Sequence, residues 1–361
     1  MFAQVSTERS PALKAAWAAL WENDARKART LFGASLAEDD KNLEARRGMI
    51  LTDLLLCNER DVLEHLEKLS KTPGADLMDL LLARYYYVFV ATHGKDEKTF
   101  VKICKELAKQ KSIDPLDRRR ALADLVEYAT AANDRDAVED AAKKLNRLDD
   151  LVLLGPFSNV SGGGHDKDFL QFPSEPLMRE YQGLAGLEVE WYRPENLDLT
   201  STVNFYNHYS RSKFTTCYVG FQLRVEKPRD LIVSITQSGA LKVQLNDQFV
   251  LDIERVQSQR EINHLKVHFE PGNHSLIFKC STGLESSNIA VSLSELDGQK
   301  PKDIKIKPLD TSEGGSMAEA TAEVLPLPGL VKLQKAYLEN PDDPYLAFWY
   351  LLGLWIFQET E

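Results

Sequence analysis

The chain has 361 residues, 43% hydrophobic and 27% charged, with a formal net charge of -11. At about 150 residues per domain this length predicts two to three domains, each able to bury a core. The acidic balance excludes nucleic acid as the main partner, because phosphate binding needs a basic face. No apolar run reaches about 18 residues, so no transmembrane segment is expected.

Residues 1–150 are poor in Gly and Pro and rich in Ala, Leu, Lys and Glu. Apolar residues recur at spacings of three and four, as in Leu13, Trp17, Leu20 and Trp21, which predicts amphipathic helices. Seven or eight helices are expected, with starts at Asp61 and at Asp114-Pro115, where an aspartate cap precedes a proline suited to the first turn. Trp21 to Ala28, Phe32, Leu36 and Asp39 to Ala45 resemble a tetratricopeptide repeat, with Ala28 permitting close helix approach and Phe32 filling the gap one turn later. Asn133 to Ala137 with Ala141 and Leu145 is a fainter echo. Such repeats stack into solenoids with a binding groove. Tyr85, Tyr86, Tyr87 and Phe89 cover every side of one helix, and Tyr85, Tyr86 and Phe89 are the candidates for a protein-binding groove. Arg118-Arg119-Arg120 reads as a solvated helix face. Cys57 and Cys104 lie in apolar helical runs and read as buried thiols.

Residues 151–300 hold most of the glycines and a series of strand signals. These are Leu151 to Leu154, Cys217 to Val225, Leu231 to Thr236, Leu241 to Leu245, Phe249 to Ile253, His264 to Phe269, Ser275 to Cys280 and Ile289 to Leu293. Asn246-Asp247 and Glu270 to Asn273 read as hairpin turns. Many short strands with regular turns predict an antiparallel β-sandwich, jelly-roll-like in architecture. Residues 301–328 read as a linker, with Gly314-Gly315 at its centre. Helical texture resumes over 329–361, which reads as the start of a second helical repeat. A lone hairpin bearing Trp349, Trp355 and Phe357 would leave much apolar surface exposed. Docking on the sandwich, a partner, or further chain beyond Glu361 would each supply cover, and further chain is the favoured expectation.

The start of the second region carries the most specific pattern: Gly155-Pro156-Phe157 with Asn159, Gly162 to Asp166, Phe172-Pro173-Ser174-Glu175, Tyr181-Gln182-Gly183, and Gly186 to Trp191. It resembles the β-sandwich module set between helical repeats in large bacterial proteins with a transglutaminase-like domain. Ala240 to Asn246 and Phe269 to His274 resemble hairpins of galactose-binding-like sandwiches. The resemblance implies a periplasmic or secreted protein. It implies no catalysis in this stretch, since the enzyme domain would lie beyond Glu361.

Candidate chemistry is sparse. A papain-like or transglutaminase-like site needs a cysteine activated near a helix N-terminus. Cys217 reads instead as a strand residue, and a disulfide to Cys280 is the alternative weighed for it. No GxSxG, GxGxxG or Walker loop occurs. His264 and His268 would stand about 13 Å apart on one strand, too far for a shared zinc, and the histidines read as surface residues. No metal and no cofactor is expected. Trp191, Tyr206 and Tyr209 are the candidates for stacking on a carbohydrate. The chain is read as a non-catalytic scaffold that binds a protein or peptide through its helices. The alternatives are a carbohydrate-binding module and the front portion of a transglutaminase-like or peptidase-like enzyme.

Overall fold

Capping residues divide the apolar periodicity of the first region into eight helices among the described residues. The structure is a computed structural model describing residues 9–89, 96–170, 180–195, 197, 199–209, 212–254, 261–284, 287–309 and 317–357. The helices are α1 (Pro11–Trp21), α2 (Ala25–Glu38), α3 (Leu43–Leu55), α4 (Glu59–Lys71), α5 (Leu77–Phe89), α6 (Glu97–Leu107), α7 (Pro115–Ala131) and α8 (Arg135–Leu145). Ser10, Asp24, Asn42 and Asp114 each accept a backbone N–H from the first turn that follows, satisfying donors that the helix itself cannot. Pro115 takes the first position of α7, as its spacing from Asp114 predicts. Helix α4 begins at Glu59, so Asp61 lies inside its first turn and does not start it. Ala28 and Phe32 are fully buried. Gly48 of α3 makes room for the Phe32 ring, since a Cβ there would lie 2.3 Å from it. Arg119 and Arg120 are buried at 2% and 5% exposure, not displayed on a solvated face.

The second region forms antiparallel sheets. Its elements are β1 (Val152–Ser158), α9 (Gly163–Asp166), β2 (Glu180–Gln182), β3 (Glu188–Glu190), β4 (Val203–Asn204), α10 (Phe205–His208), β5 (Thr215–Val225), β6 (Arg229–Gln237), β7 (Ala240–Leu245), β8 (Gln248–Ile253), β9 (Glu261–Phe269), β10 (Gly272–Ser281), β11 (Asn288–Ser294), β12 (Ile304–Pro308) and β13 (Ala320–Leu325). One sheet runs β1-β5-β10-β7-β8, with β12 also paired to β5; the other runs β13-β9-β6-β11-β4; β2 and β3 pair separately. Alternate residues of β5 (Cys217, Val219, Phe221, Leu223) share one core with Leu231, Val233 and Ile235 of β6 and Leu265 and Val267 of β9. The period-2 pattern therefore turns one face of each sheet inward. Asn246, at φ 54°, makes the β7–β8 turn.

Several readings change here. The stretch read as a linker supplies β12 and β13, which pair with β5 and β9. His264 and His274 are buried, not surface residues. His264 Nδ1 lies 2.8 Å from Ser234 Oγ, and His274 Nε2 lies 2.7 Å from the Glu270 carbonyl. His268 pairs with Asp230 at 2.7 Å. Among the described residues no group of three or more His, Cys, Asp or Glu is placed to hold a metal ion. Cys217 and Cys280 stand directly opposite one another on β5 and β10, as buried free thiols.

The chain then returns to helix with α11 (Pro328–Glu339) and α12 (Pro344–Phe357). Two compact units result: one holds the residues up to Ala141 and from Pro326 onward, the other Ala142–Leu325. The chain is thus mixed α+β, with the sheet unit inserted into the sequence of the helical one. Helices α11 and α12 join the unit of α1 to α7; residues 329–361 do not open a separate array. Trp349 is fully buried. Tyr345 packs edge-on to Trp17 at 4.8 Å and to Trp349 at 5.9 Å. Arg9 lies over the Tyr345 ring at 4.1 Å and pairs with Asp343 at 2.8 Å. Among the described residues no helix is long and apolar enough to cross a membrane.

Asp117 of α7 holds the start of α11. Its Oδ2 accepts the Gly329 N–H at 2.9 Å. Burial, then Asp114, push its carboxyl from an ordinary 3.8 up to about 7, against the Gly329 N–H and Lys332. The folded state thus holds this proton more tightly than the unfolded chain does. The group's contribution to stability falls as pH rises from about 4 to about 7, and is level outside that window. Asp117→Asn keeps an oxygen acceptor for Gly329 but cannot ionise. Denaturant melts between pH 4.5 and 8 should show a flatter pH profile for the variant and higher stability than the parent at pH 8. Parallel profiles would remove the assignment.

Candidate functional site: an apolar groove in the helical unit

The helical unit carries a groove of about 650 Å³ built from five helices and the turns between them. The end of α1 supplies Leu20 and Trp21; the last turns of α3 supply Leu51, Leu54 and Leu55; α4 gives Val62, α5 gives Tyr85, and α12 gives Phe348, Leu352 and Trp355. Trp21 stacks on Trp17 at 5.6 Å and leans on Phe348 at 5.5 Å. Tyr85 meets Trp355 at 5.9 Å. The turn after α1 passes through Asn23 at φ 64° and the turn after α3 through Cys57 at φ 58°, so both chains reverse sharply at the rim. Cys57 is therefore exposed, contrary to the buried thiol read from the sequence; Cys104 is buried.

Leu55, Trp355 and Trp21 are 58%, 51% and 39% exposed. Water is thus in contact with large apolar side chains that lie side by side, not scattered singly. The polar groups are few and mostly engaged. Asp53 is fully buried, with Arg29 Nε at 2.7 Å and Asn58 Nδ2 at 3.2 Å. Its other carboxylate oxygen, Oδ2, lies 3.7 Å from His65 Nε2. Most of the lining side chains offer shape and apolar contact.

The structure distributes the candidate residues unevenly. Tyr85 lines the groove, whereas Tyr86 is fully buried, stacked on Phe100 at 5.7 Å with its hydroxyl donating to the Glu59 carbonyl. Burial pushes the Tyr86 phenol up to about 12. The Phe89 side chain lies outside the described residues. Of the most open apolar groups of the groove, Trp355 was read from the sequence as part of an apolar hairpin in need of cover, whereas Trp21 and Leu55 carried little to distinguish them from core residues. The one signal available was Asn58, a capping residue before the acidic first turn Glu59 to Asp61, which marks a break just after Leu55.

The carbohydrate candidates are not brought together. Tyr209 is buried between the sheets, stacked on Phe205 at 6.2 Å. Trp191 is half-buried beside Val152, Phe157 and Tyr181 in a separate cluster. Tyr206 alone of the three is freely exposed, at 67%.

The motif at the start of the sheet unit acts as an anchor. Gly155 takes φ 138° where a Cβ would lie 3.2 Å from Cys217 Sγ, and Phe157 stacks on Phe169 at 4.6 Å. Asn159 is buried; its Nδ2 donates to the Thr282 carbonyl at 2.9 Å, and its Oδ1 accepts the N–H groups of Gly164 at 2.9 Å and His165 at 3.1 Å. Lys279 is buried under the same loop, donating to the carbonyls of His165 at 2.6 Å and Lys167 at 2.7 Å. Burial, then Lys242, bring its ammonium down to about 8. Asn159→Ala would leave three buried backbone groups without their partner, an expected loss of about 2–4 kcal/mol. Chemical denaturation of the parent and the variant checks it, and an unchanged midpoint would mean that the loop finds other partners.

No family model matches the chain, and the searches of curated proteins and of solved structures found no match.

Proposed function

We propose that the chain is a non-catalytic scaffold whose helical unit takes up a segment of a partner protein in the groove between α1, α3, α4, α5 and α12. The exposure of Trp21, Leu55 and Trp355 side by side carries this reading, because apolar surface of that kind gains most from being covered. The resemblance of Trp21 to Ala45 to a tetratricopeptide repeat supports a groove-bearing helical array. The sheet unit, read as a jelly-roll-like module akin to galactose-binding sandwiches, acts as a structural or second binding element. Cys217 supports the non-catalytic reading: burial raises its thiol pKa, the reverse of what a thiolate nucleophile needs. The resemblance of Gly155 to Trp191 to the sandwich module of bacterial transglutaminase-like proteins supports a periplasmic or secreted location, and the front portion of a transglutaminase-like or peptidase-like enzyme is the alternative. Carbohydrate binding through Trp191, Tyr206 and Tyr209 is the weaker reading, since only Tyr206 offers an open ring.

Peptide display selected on the intact chain tests the proposal. Selected peptides should lose at least about tenfold in affinity for Leu55→Asp, which places a charge in the apolar contact. Leu55 is exposed, so its replacement leaves the core alone. Failure to select any binder, or binders indifferent to the substitution, would overturn the proposal.

A further inference from the structure

We infer that the groove's occupant is an amphipathic helix of another protein, with lysines or arginines bordering its apolar stripe. This rests on the proposal that the groove binds a protein segment, and adds the segment's conformation and charge.

Conformation follows from the walls. The groove is bounded by helices, whose backbone N–H and C=O groups are satisfied internally apart from their ends. Among the described residues no strand edge lines it, so an extended segment would bury most of its main-chain groups against apolar side chains such as Leu51, Leu54 and Leu352, with only Asn23, Asn58, Glu59 and Tyr85 able to pair. A helix satisfies its own backbone and offers apolar groups at i, i+3, i+4 and i+7. Helix α12 also calls for an apolar cover. It carries no charged residue from Pro344 to Phe357, yet Leu351 and Trp355 are 61% and 51% exposed. A helix apolar on all sides is stable in water only when covered.

Charge follows from the rim. Among the described lining residues the ionisable carboxylates are Asp53 and Glu59, and there is no Lys or Arg. Arg29 already neutralises Asp53. Glu59 is exposed, and so are Glu22 and Asp24, on either side of the lining Asn23, against one exposed cation immediately flanking the lining residues, Arg60, next to Glu59. Cations flanking an apolar stripe would meet these carboxylates, while an acidic partner would be repelled. The same field disfavours the other covers. A second copy brings its own charge of -11, and an anionic bilayer repels the rim.

Three synthetic peptides test this on the intact chain, by fluorescence anisotropy at low and physiological salt. They share one Leu/Trp stripe at helical spacing. The first has lysines on its polar face, the second glutamates, and the third is the lysine peptide with two central prolines. The lysine peptide should bind about tenfold or more tighter than the glutamate peptide at low salt, with the gap narrowing as salt is raised. The proline peptide should lose binding, because the helix is interrupted. Glu59→Lys should weaken the lysine peptide by about threefold or more and narrow its lead over the glutamate peptide. Leu55→Asp separates docking from charge alone. It adds a carboxylate, so lysine-peptide binding that rises in this variant is electrostatic adhesion and overturns the inference. Equal binding of the lysine and glutamate peptides, both lost in Leu55→Asp, would overturn the charge assignment and leave the groove reading standing. Retention of the proline peptide would overturn the helical conformation. No binding by any peptide would overturn both readings. A concentration-dependent dimer of the chain alone, lost in Leu55→Asp, would make a second copy the occupant and overturn the inference.

Discussion

Trp349→Ala should lower the stability of the helical unit by about 3–5 kcal/mol, the range for deleting a fully buried indole. The size of the effect comes from where the ring sits. Trp349 is 0% exposed, and Tyr345 links it to Trp17, which itself packs edge-on to Phe32 at 5.0 Å. Phe32 is closed in by Gly48 of α3. One line of rings thus runs from α12 through α1 and α2 to α3. A void at Trp349 removes packing partners from the end of that line, where the last helices meet the first. Hydrogen exchange read by mass spectrometry should show peptides from α1, α11 and α12 losing protection in the variant. A loss below about 1 kcal/mol would mean that neighbouring side chains collapse into the space.

Arg47→Met should be comparably damaging, about 3–5 kcal/mol, for an electrostatic reason. Arg47 is 4% exposed. Its Nε and Nη2 donate to the two oxygens of Asp79 at 2.7 and 2.8 Å, and Nη2 also reaches Asp76 Oδ1 at 2.9 Å. Asp79 is itself buried and accepts the Asp76 N–H at 2.8 Å. Methionine fills much of the arginine's volume but leaves two neighbouring carboxylates without their cation. Such carboxylates hold protons more tightly than those of the unfolded chain, so the deficit should shrink as pH is lowered toward 5. Restoring charge balance with Asp79→Leu in the same chain should recover a large part of the loss, since apolar replacement of a whole buried pair is often neutral. Urea melts of the single and double variants at pH 5 and pH 7.5 check both statements. A deficit that grows toward pH 5 would contradict the electrostatic cause.

Much of the fold was legible because burial on one face leaves a period in the sequence. All eight strand signals read between Leu151 and Leu293 correspond to strands. The strands that were missed are β2, β3 and β4, of two or three residues each and too short to show a period, and β12 and β13, whose period is weak. In β12, Lys305 and Lys307 alternate with Ile304 and Ile306, but none of these residues is fully buried. In β13 the inward positions Ala320 and Ala322 are small. Both are edge strands, where half of the ladder and much of one face stay open and composition resembles a linker. The docking of α11 and α12 was hidden for another reason. A helix apolar on every side does not say which surface covers it, and Trp17 and Asp117 stand hundreds of residues earlier in the chain. The groove was only partly legible. Tyr85 was named, but Trp21 and Leu55 have the spacing of core residues, and only the position of the turn at Cys57 opens them to water.

Insertion of the sheet unit between α8 and α11 also sets an order for synthesis. Trp17, Met78 and Asp117 are made early, and the residues that cover them, Tyr345 and Gly329, are made more than 200 residues later. Roughly 200 residues separate Ala141 from α12, so at about 5–20 residues per second the N-terminal helices wait some 10–40 s on the ribosome for their last two. During that interval the nascent chain presents the surface destined for α12, together with the groove residues that α1 and α3 contribute, Leu20, Trp21, Leu51, Leu54 and Leu55. A chaperone that recognises short apolar helices would have its best opportunity then, and would be displaced by the chain's own α11 and α12.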